Sequence, residues 1–589
     1  MSPKNPNSND SNEERTMFIE IPSSDVQSTE ILAADEEDNF SDDSILLPDD
    51  TAKKQTALDA VITKIGMGKF QKQLLVLCGL GWLADNMWLQ CIAVILPRVQ
   101  SMKCLNGSHD LIITYSSLHT YIYYFIVVGH FELPDSLIGV LSSSLFTGMM
   151  FGALFWGVLS DTHGRKQAFN WTLAVTTVFG IVSSVAQSFT QLCAMLFLLG
   201  FGVGGNMPVD GALFLEFIPK EHQYLLTFMS VFFSLGAVLS SVLAYIILPP
   251  NSCHEQTEGT GFVLCDVSKD NNGWRYLLAI LGSLTFLMLM SRIFFFRLQE
   301  SPKYLMSRNR KHDAILVLRK IAKINGNDMQ IHSSDFPTTP AASNTNSRND
   351  SFPAFPFPNE PRYLKVKFIS DPIAYIKYHI SSNLNAVRPL FTKKWITTTV
   401  LVWGIWALVS FSYTMFNVFL PKYLESLGLN NGEKENSSLM HDVLKDYVIY
   451  SLCGVPGSLA GSWLIETFLG RIGTMSVATF GTALSVFLFS AVKSHSGEVI
   501  SSAMVNFLAT LNYAVIYGYT PEVFESKIRG TACGIASAFG RVAGIIAPVI
   551  TGILLSVSIS VPLYVSASLF GISGVFMVLL PIETKGRQA

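Results

Sequence analysis

The chain has 589 residues, of which 49% are hydrophobic and 14% are charged, and its mean hydropathy is +0.37. A soluble multidomain protein carries more charge than this, so the composition predicts a polytopic membrane protein. The net charge of -3 gives no basic excess for binding nucleic acid, and none is expected as a partner.

The N-terminal segment, residues 1–69, is predicted to be a disordered acidic tail in the cytosol. Its first 50 residues are rich in Asn, Ser, Asp and Glu and offer little to bury. Within it, Asp42 followed by Leu46 and Leu47 is similar to the acidic dileucine signal that endosomal and vacuolar sorting adaptors read. The pattern favours a vacuolar, endosomal or other endomembrane over the plasma membrane.

Apolar stretches long enough to cross a bilayer occupy most of the remaining chain. The predicted spans are 73–97, 136–160, two spans that begin at 167 and fold back at 187–188, 224–249, 274–297, 395–421, 447–465, 472–492, 499–521, 530–557 and 561–581. They predict a six-helix bundle at 70–297 and another at 395–582, followed by a cytosolic tail at 583–589.

The central loop between these halves, residues 298–394, has more than twice as many Lys and Arg residues as Asp and Glu residues. By the positive-inside rule this loop is cytosolic, and so are both termini. The spacing of apolar residues from Asp313 to Ala322 predicts a helix inside the loop.

The segment after the first span, residues 98–131, is unusual because it contains a second apolar stretch of borderline length. It also holds a glycosylation pattern at Asn106, which suits an extracellular or lumenal side and predicts a glycoprotein. Three interpretations remain open for this segment: a genuine loop, a re-entrant segment, and translated intron.

Three of the charged residues inside predicted spans are candidates for function. Asp85 is in the first span, Asp210 in the fourth and Arg541 in the eleventh. A charge at membrane depth costs at least about 2.5 kcal/mol, so these side chains should face a cavity or a partner. We predict that Asp85 and Asp210 couple transport to protons. Arg541 is predicted to bind substrate, with Asn206 and Trp88, or to hold one of these acids in its charged form. The alternative is that the acids are structural and pair with nearby helices.

Two further sets of residues flank the spans on the predicted cytosolic side. The first half has the pattern G-x3-D-x2-G-R-K, and the second half repeats it with each gap one residue longer. A later E-x6-R pattern is complete only in the second half, since Gln223 replaces its Arg in the first. The residues predicted to form a cytosolic gate are Gly157, Asp161, Gly164, Arg165, Lys166, Glu216, Glu466, Arg471, Glu522 and Arg529.

These motifs, with the PxETKG ending at Pro581, resemble the major facilitator superfamily and its sugar porters. The sequences GWLAD, GGNMPVD and RGTACGIASAFGRVAGIIAP in the first, fourth and eleventh spans resemble its synaptic-vesicle-protein-related branch. The resemblance implies an all-α membrane protein whose twelve transmembrane helices form two pseudo-symmetric six-helix bundles. It also implies alternating access, in which the bundles rock around a central site.

The function that this pattern favours is secondary active transport of a small organic solute, anionic or zwitterionic, driven by protons. No nucleotide-binding, nucleophile or metal-ligand pattern occurs, so neither ATP, a metal, a cofactor nor an enzyme activity is expected. An equilibrative uniporter is one alternative. Another is a transporter-like sensor or vesicle-trafficking protein that moves no solute.

Overall fold

The computed structural model describes most of the chain between Pro48 and Thr584. The described residues are 48–100, 135–222, 225–252, 271–295, 298–308, 310–327, 329, 331–332, 336, 387–430, 436–492, 494–524 and 526–584. The chain divides into two compact units, Met1–Thr51 and Ala52–Ala589. The described residues of the first unit are the first turn of a helix, and the features below belong to the second.

The predicted spans correspond to long helices in the described part of the chain. They are α2 (Lys69–Gln100), α3 (Asp135–His163), α4 (Arg165–Ser183), α5 (Phe189–Phe217), α6 (Ser230–Ile247), α7 (Gly273–Met290), α10 (Ile396–Asn417), α12 (Asn436–Leu464), α13 (Gly470–Ala491), α14 (His495–Val523), α15 (Ser526–Leu555) and α16 (Ser560–Val578). Among the residues described, ten helices are long and apolar enough to cross a membrane. The other two long helices of this set, α4 and α12, complete the two halves.

The packing of the first half is repeated in the second. In the first half α3 and α4 both pack on α5, α2 packs on α6, and α7 packs on α4 and α2. The equivalent helices of the second half make the same pairs: α12 and α13 pack on α14, α10 packs on α15, and α16 packs on α13 and α10. The halves meet where α3 packs on α15 and α6 packs on α12. This arrangement is the predicted fold.

Glycines allow two helices of the first half to approach closely. A Cβ atom on Gly200 or Gly204 of α5 would lie 2.2 or 2.1 Å from a backbone oxygen of α3. Gly157, a predicted gate residue whose type would also permit a close helix crossing, is not a point of close approach, because a Cβ atom there would meet nothing within 4 Å. The close approach occurs at Gly148 and Gly152 instead, earlier on α3, where the backbone oxygens of α5 face these glycines.

An additional helix, α1 (Pro48–Ile65), precedes the first span and corrects the prediction of a disordered tail over residues 1–69. Its buried residues Leu58, Val61, Ile62 and Ile65 recur at helical spacing, so they form one apolar face. Charged and polar residues between them lower the average hydrophobicity of the segment, so its composition alone does not reveal the apolar face. The rest of the predicted tail, residues 1–47, lies outside the described part.

Two helices of the central loop, α8 (Pro302–Ser307) and α9 (Lys311–Ile324), pack beside α1. The buried face of α1 joins one apolar cluster with Ile315 and Leu318 of α9, and Lys303 pairs with Asp59 at 2.9 Å. The helix predicted at 313–322 is therefore present. We call α1, α8 and α9 the cytosolic layer, with the side assigned by the positive-inside rule.

The cytosolic layer is joined to the start of α2 by Asn325. Its Oδ1 accepts a hydrogen bond from the Phe70 backbone N–H at 3.0 Å, and its Nδ2 donates to Gln71 Oε1 at 2.9 Å. The first backbone N–H groups of a helix have no partner within the helix, so the amide caps α2 from the central loop.

Candidate functional site

Asp85 lies at the midpoint of α2 and is fully buried. Its Oδ1 accepts a hydrogen bond from Nδ2 of Asn206, on α5, at 2.7 Å. Its Oδ2 has no hydrogen-bond partner among the described residues. Leaving a buried carboxylate oxygen unsatisfied is costly, so this atom is suited to binding a proton or a ligand.

Asp210, on α5, is paired with Arg292 rather than with Arg541. Oδ2 of Asp210 lies 2.7 Å from Nη2 of Arg292, and both side chains have 0% exposure. Arg292 belongs to a single π-helical turn, Ser291–Phe295, that continues α7. The sequence analysis considered Arg541 as a partner of one of the acids. Arg292, the partner that the structure shows for Asp210, was not among its candidates.

Arg541, on α15 of the second half, reaches across to the first. Its Nη1 donates to the Met149 carbonyl oxygen of α3 at 3.1 Å. It also lies close enough to Asp85 and Tyr517 to interact electrostatically with both. The structure thus brings an acid of the first half and a cation of the second half together between the bundles, with Asn206 beside the acid.

Trp88, the remaining substrate-binding candidate, faces the interior of the first half. Its Nε1 donates to Thr285 Oγ1 of α7 at 3.1 Å, and its ring lies against Gly180 of α4, where a Cβ atom would be 2.5 Å away. The structure does not place Trp88 with Arg541, so a direct role in binding substrate remains a prediction.

Aromatic side chains of the second half lie beside this region. Tyr517 of α14 packs edge-on against Trp406 of α10, with ring centroids 4.9 Å apart, and it is 41% exposed. Tyr517 also lies within electrostatic range of Arg541 and Asp85. Nearby, Tyr447 of α12 donates to Gln90 of α2, which links the halves just beyond Asp85.

The opposite, outer side of this region is closed by an ion pair between the halves. Arg98, at the end of α2, pairs with Glu425 of α11 (Leu420–Asn430), and both side chains are largely buried. The Arg98 carbonyl oxygen also accepts a hydrogen bond from Asn271. Apolar side chains surround the pair, namely Val94, Leu248, Met440, Val443 and Leu444.

The predicted gate residues form two equivalent clusters on the cytosolic side. Arg165 Nε donates to Glu216 at 3.1 Å, and Arg471 Nε donates to Glu522 at 3.0 Å, each across 51 residues. Glu466 adds an oxygen 3.3 Å from Nη2 of Arg471. Each cluster joins helices of one half, so the contacts described here hold the bundle ends together rather than the two halves.

Three predicted gate residues do not join these ion pairs in the described contacts. Arg529 donates to the Phe524 carbonyl oxygen at 3.4 Å, and Lys166 contributes its backbone N–H to Glu300 at 3.3 Å. The side chain of Asp161 lies outside the described residues. Gly164 has φ +106°, a backbone conformation that glycine adopts without strain, where the chain passes from α3 to α4.

Two acids that the sequence prediction did not assign bind helix N-termini. Glu300 accepts a hydrogen bond from the Arg165 backbone N–H at 2.8 Å, and Glu583 accepts one each from the Arg471 and Ile472 backbone N–H groups at 3.0 Å. Carboxylates are stabilised there because the first N–H groups of a helix lack partners and the helix dipole is positive. Glu583 lies in the PxETKG ending, which was identified by resemblance alone.

Glu583→Gln should destabilise the second half, because a neutral amide interacts more weakly with the start of α13. The expected loss is about 0.5–2 kcal/mol, the range for capping and dipole interactions, and thermal unfolding of the purified protein measures it. Glu466→Gln is the matched control, since Glu466 is 66% exposed and should matter less. Equal losses in the two variants would contradict a capping role for Glu583.

Repeated sets of membrane-length helices, with an acid and a cation of different halves close together between them, define a multi-pass membrane transporter. A sequence model of the Major Facilitator Superfamily matches residues 111–441 and 447–589. The chain belongs to this superfamily, whose members move small solutes across membranes and are not enzymes. The predicted dileucine signal and glycosylation pattern lie outside the described residues and remain predictions.

Named relatives agree with this assignment along almost the whole chain. MFS siderochrome iron transporter 1 of Ceriporiopsis subvermispora is 32% identical over 91% of this chain and 92% of its own. Synaptic vesicle 2-related protein of Pongo abelii is 26% identical over 92% and 82%. The xylose transporter XylE from E. coli has the same fold, with a TM-score of 0.58 and 16% identity over 88% of this chain and 100% of its own.

Proposed function

We propose that this transporter couples the passage of a small organic solute, anionic or zwitterionic, to protons, and that Asp85 binds the proton. The observation that supports this proposal is the Asp85 carboxylate, which is fully buried, has one oxygen without a hydrogen-bond partner among the described residues, and lies within electrostatic range of Arg541 of the other half. Arg541 then binds the acidic group of the substrate.

Competition for Arg541 explains how the two ligands are coupled. An ionised Asp85 attracts the guanidinium, and a substrate carboxylate competes for the same charge. A proton on Asp85 ends this competition, so proton and substrate bind together. An uncompensated charge at membrane depth costs about 2.5–3.5 kcal/mol. This cost is large enough to favour the carrier that has bound both proton and substrate, because its charges are then compensated.

Asp210 is a weaker candidate for proton binding in this proposal. Its Oδ1 also lacks a hydrogen-bond partner among the described residues, but its Oδ2 is paired with the cation Arg292, whereas Asp85 has only the neutral Asn206 as a hydrogen-bond donor. An ion pair stabilises the ionised form of an acid. We therefore assign the coupling proton to Asp85 and a supporting role to Asp210.

Alternating access is supported by the repeated packing of the two halves and by the closure at Arg98 and Glu425. The outer side is held by an ion pair between halves, while the described ion pairs of the cytosolic clusters lie within halves. This asymmetry fits a state that is closed on the outer side.

Uptake by purified protein in liposomes tests the function directly. A panel of labelled carboxylates, amino acids, amines and sugars is presented with and without an imposed pH gradient, and protein-free liposomes serve as the control. Accumulation of a carboxylate or zwitterion only under the gradient is the expected result. Equilibration that ignores the gradient would identify a uniporter, and absence of uptake across the panel would favour the sensor or trafficking alternative.

A further inference from the structure

One guanidinium connects four helices of the first half. From the π turn after α7, Arg292 pairs with Asp210 of α5 at 2.7 Å and donates to the Phe169 carbonyl oxygen of α4 and, at 3.4 Å, to the Leu77 carbonyl oxygen of α2. Its carbon Cζ lies 3.7 Å from the centre of the Phe169 ring. Single π turns in α-helices are frequent at functional sites.

The ion pair lies directly against the helix that carries Asp85. A Cβ atom on Gly81 would lie 1.9 Å from Asp210 Oδ2 and 2.3 Å from Arg292 Nη2. No real side chain fits at such distances, so the α2 backbone packs on the charged atoms themselves. Gly81 is one helical turn before Asp85, and any shift of the pair is transmitted to that turn.

We propose that Arg292 is a positioning residue for the proton site: it keeps Asp210 ionised and fixes the turn of α2 that carries Asp85, so that the coupling proton goes to Asp85. This inference rests on the proposed function, since it assigns a partner to the same proton site. It also accounts for the presence of the buried pair. Stability alone does not explain the pair, because folding often tolerates its replacement by neutral groups.

The charges that act on Asp85 come from a small set of groups. Asp210, Arg292 and Arg541 interact with it electrostatically, as does Tyr517 of the second half. Cys78 of α2 lies near Asp210 and Arg292. Of the other helices packed on α2, α6 carries no charged residue and α3 carries none between Asp135 and Asp161. The charged residues of α11 and α9 belong to helices that contact the two ends of α2, at Arg98 and at Phe70.

Infrared titration of the purified, substrate-free protein tests the proposal through the bands of protonated carboxyl groups. Each band is assigned by its loss on substitution, to Asp85 with Asp85→Asn and to Asp210 with Asp210→Asn. The wild-type protein should show an Asp85 band that titrates and no Asp210 band. Arg292→Gln should add a band that is lost when Asp210→Asn is introduced with it, because an unpaired buried carboxylate takes up a proton.

The other variants separate charge from structure. Asp210→Asn leaves Arg292 uncompensated and should lower the pH midpoint of the Asp85 band by about one unit. The double variant Asp210→Asn/Arg292→Gln removes both charges, so it should fold even if the single variants do not. In this variant the pH midpoint of the Asp85 band should return to the wild-type value. Arg292→Lys keeps the charge but loses the fork of donors, so it should show no Asp210 band although its thermal stability falls.

The outcomes that overturn the inference are distinct from failure of the proposed function. An Asp210 band in the wild-type protein would overturn the inference. So would an Asp85 midpoint and a number of bands that stay the same in all these variants. In either case Asp85 would remain the proton site. A wild-type protein in which no band is lost on Asp85→Asn would overturn the proton site itself, and the role of Arg292 with it.

Discussion

Asp85→Asn should abolish accumulation of solute under a pH gradient and leave exchange of solute across the membrane measurable. The amide resembles the protonated acid in size and charge, so it fixes the form that binds substrate. Net transport needs the carrier to return empty after releasing the proton, whereas exchange needs only the loaded form. Proton-driven uptake and counterflow, measured side by side in liposomes with a solute from the uptake panel, check this expectation.

Arg541→Ala provides the contrast for this experiment. Removing the guanidinium should reduce substrate binding and therefore lower uptake and counterflow together. If Asp85→Asn behaves in the same way as Arg541→Ala, or if its remaining uptake still depends on the pH gradient, Asp85 is structural and the coupling proton binds elsewhere.

Reversing one charge at the outer closure should open that side of the transporter. Arg98→Glu places two carboxylates opposite each other where Arg98 and Glu425 now pair. Breaking a buried pair by changing one partner typically costs about 3–5 kcal/mol. Since about 1.4 kcal/mol corresponds to a factor of ten in an equilibrium constant, the closed state should become more than about tenfold less favoured. The double variant Arg98→Glu/Glu425→Arg restores opposite charges and should restore the closure.

Cys91 is a native reporter for this test, because it is buried on α2 and lies close to Tyr447 of the second half. In a chain whose other cysteines are replaced by Ser, an impermeant thiol reagent on the outer side should label Cys91 more than about tenfold faster in Arg98→Glu. The double variant should label at the original rate. Fast labelling in both variants would show that the charges do not hold the closure.

The membrane fold was predictable from the sequence because each span carries its own signal. Hydropathy identifies a helix such as α13 without knowledge of its neighbours, and the repeated G-R motif relates Arg165 to Arg471 directly. Asp85 could be selected for the same reason, since a charge in an apolar span is visible in one dimension.

The partners of these residues were not predictable, because they depend on three-dimensional contacts. Arg292 lies at the edge of the sixth span, where a basic residue usually marks the membrane surface, and only the π turn brings it to Asp210. Glu425 sits in a short polar helix 327 residues from Arg98. The residue type of Gly157 is compatible with close helix packing, but in the described part of the chain no atom lies within 4 Å of a Cβ atom placed there.

The cytosolic layer makes the two halves mechanically unequal. Asn325 and the apolar face of α1 fasten the layer to the start of α2, whereas among the described residues the corresponding end of the second half has the Glu583 contact with α13. A rigid-body movement of the first half should therefore carry the cytosolic layer with it, so rocking of the bundles would displace α1, α8 and α9 relative to the second half.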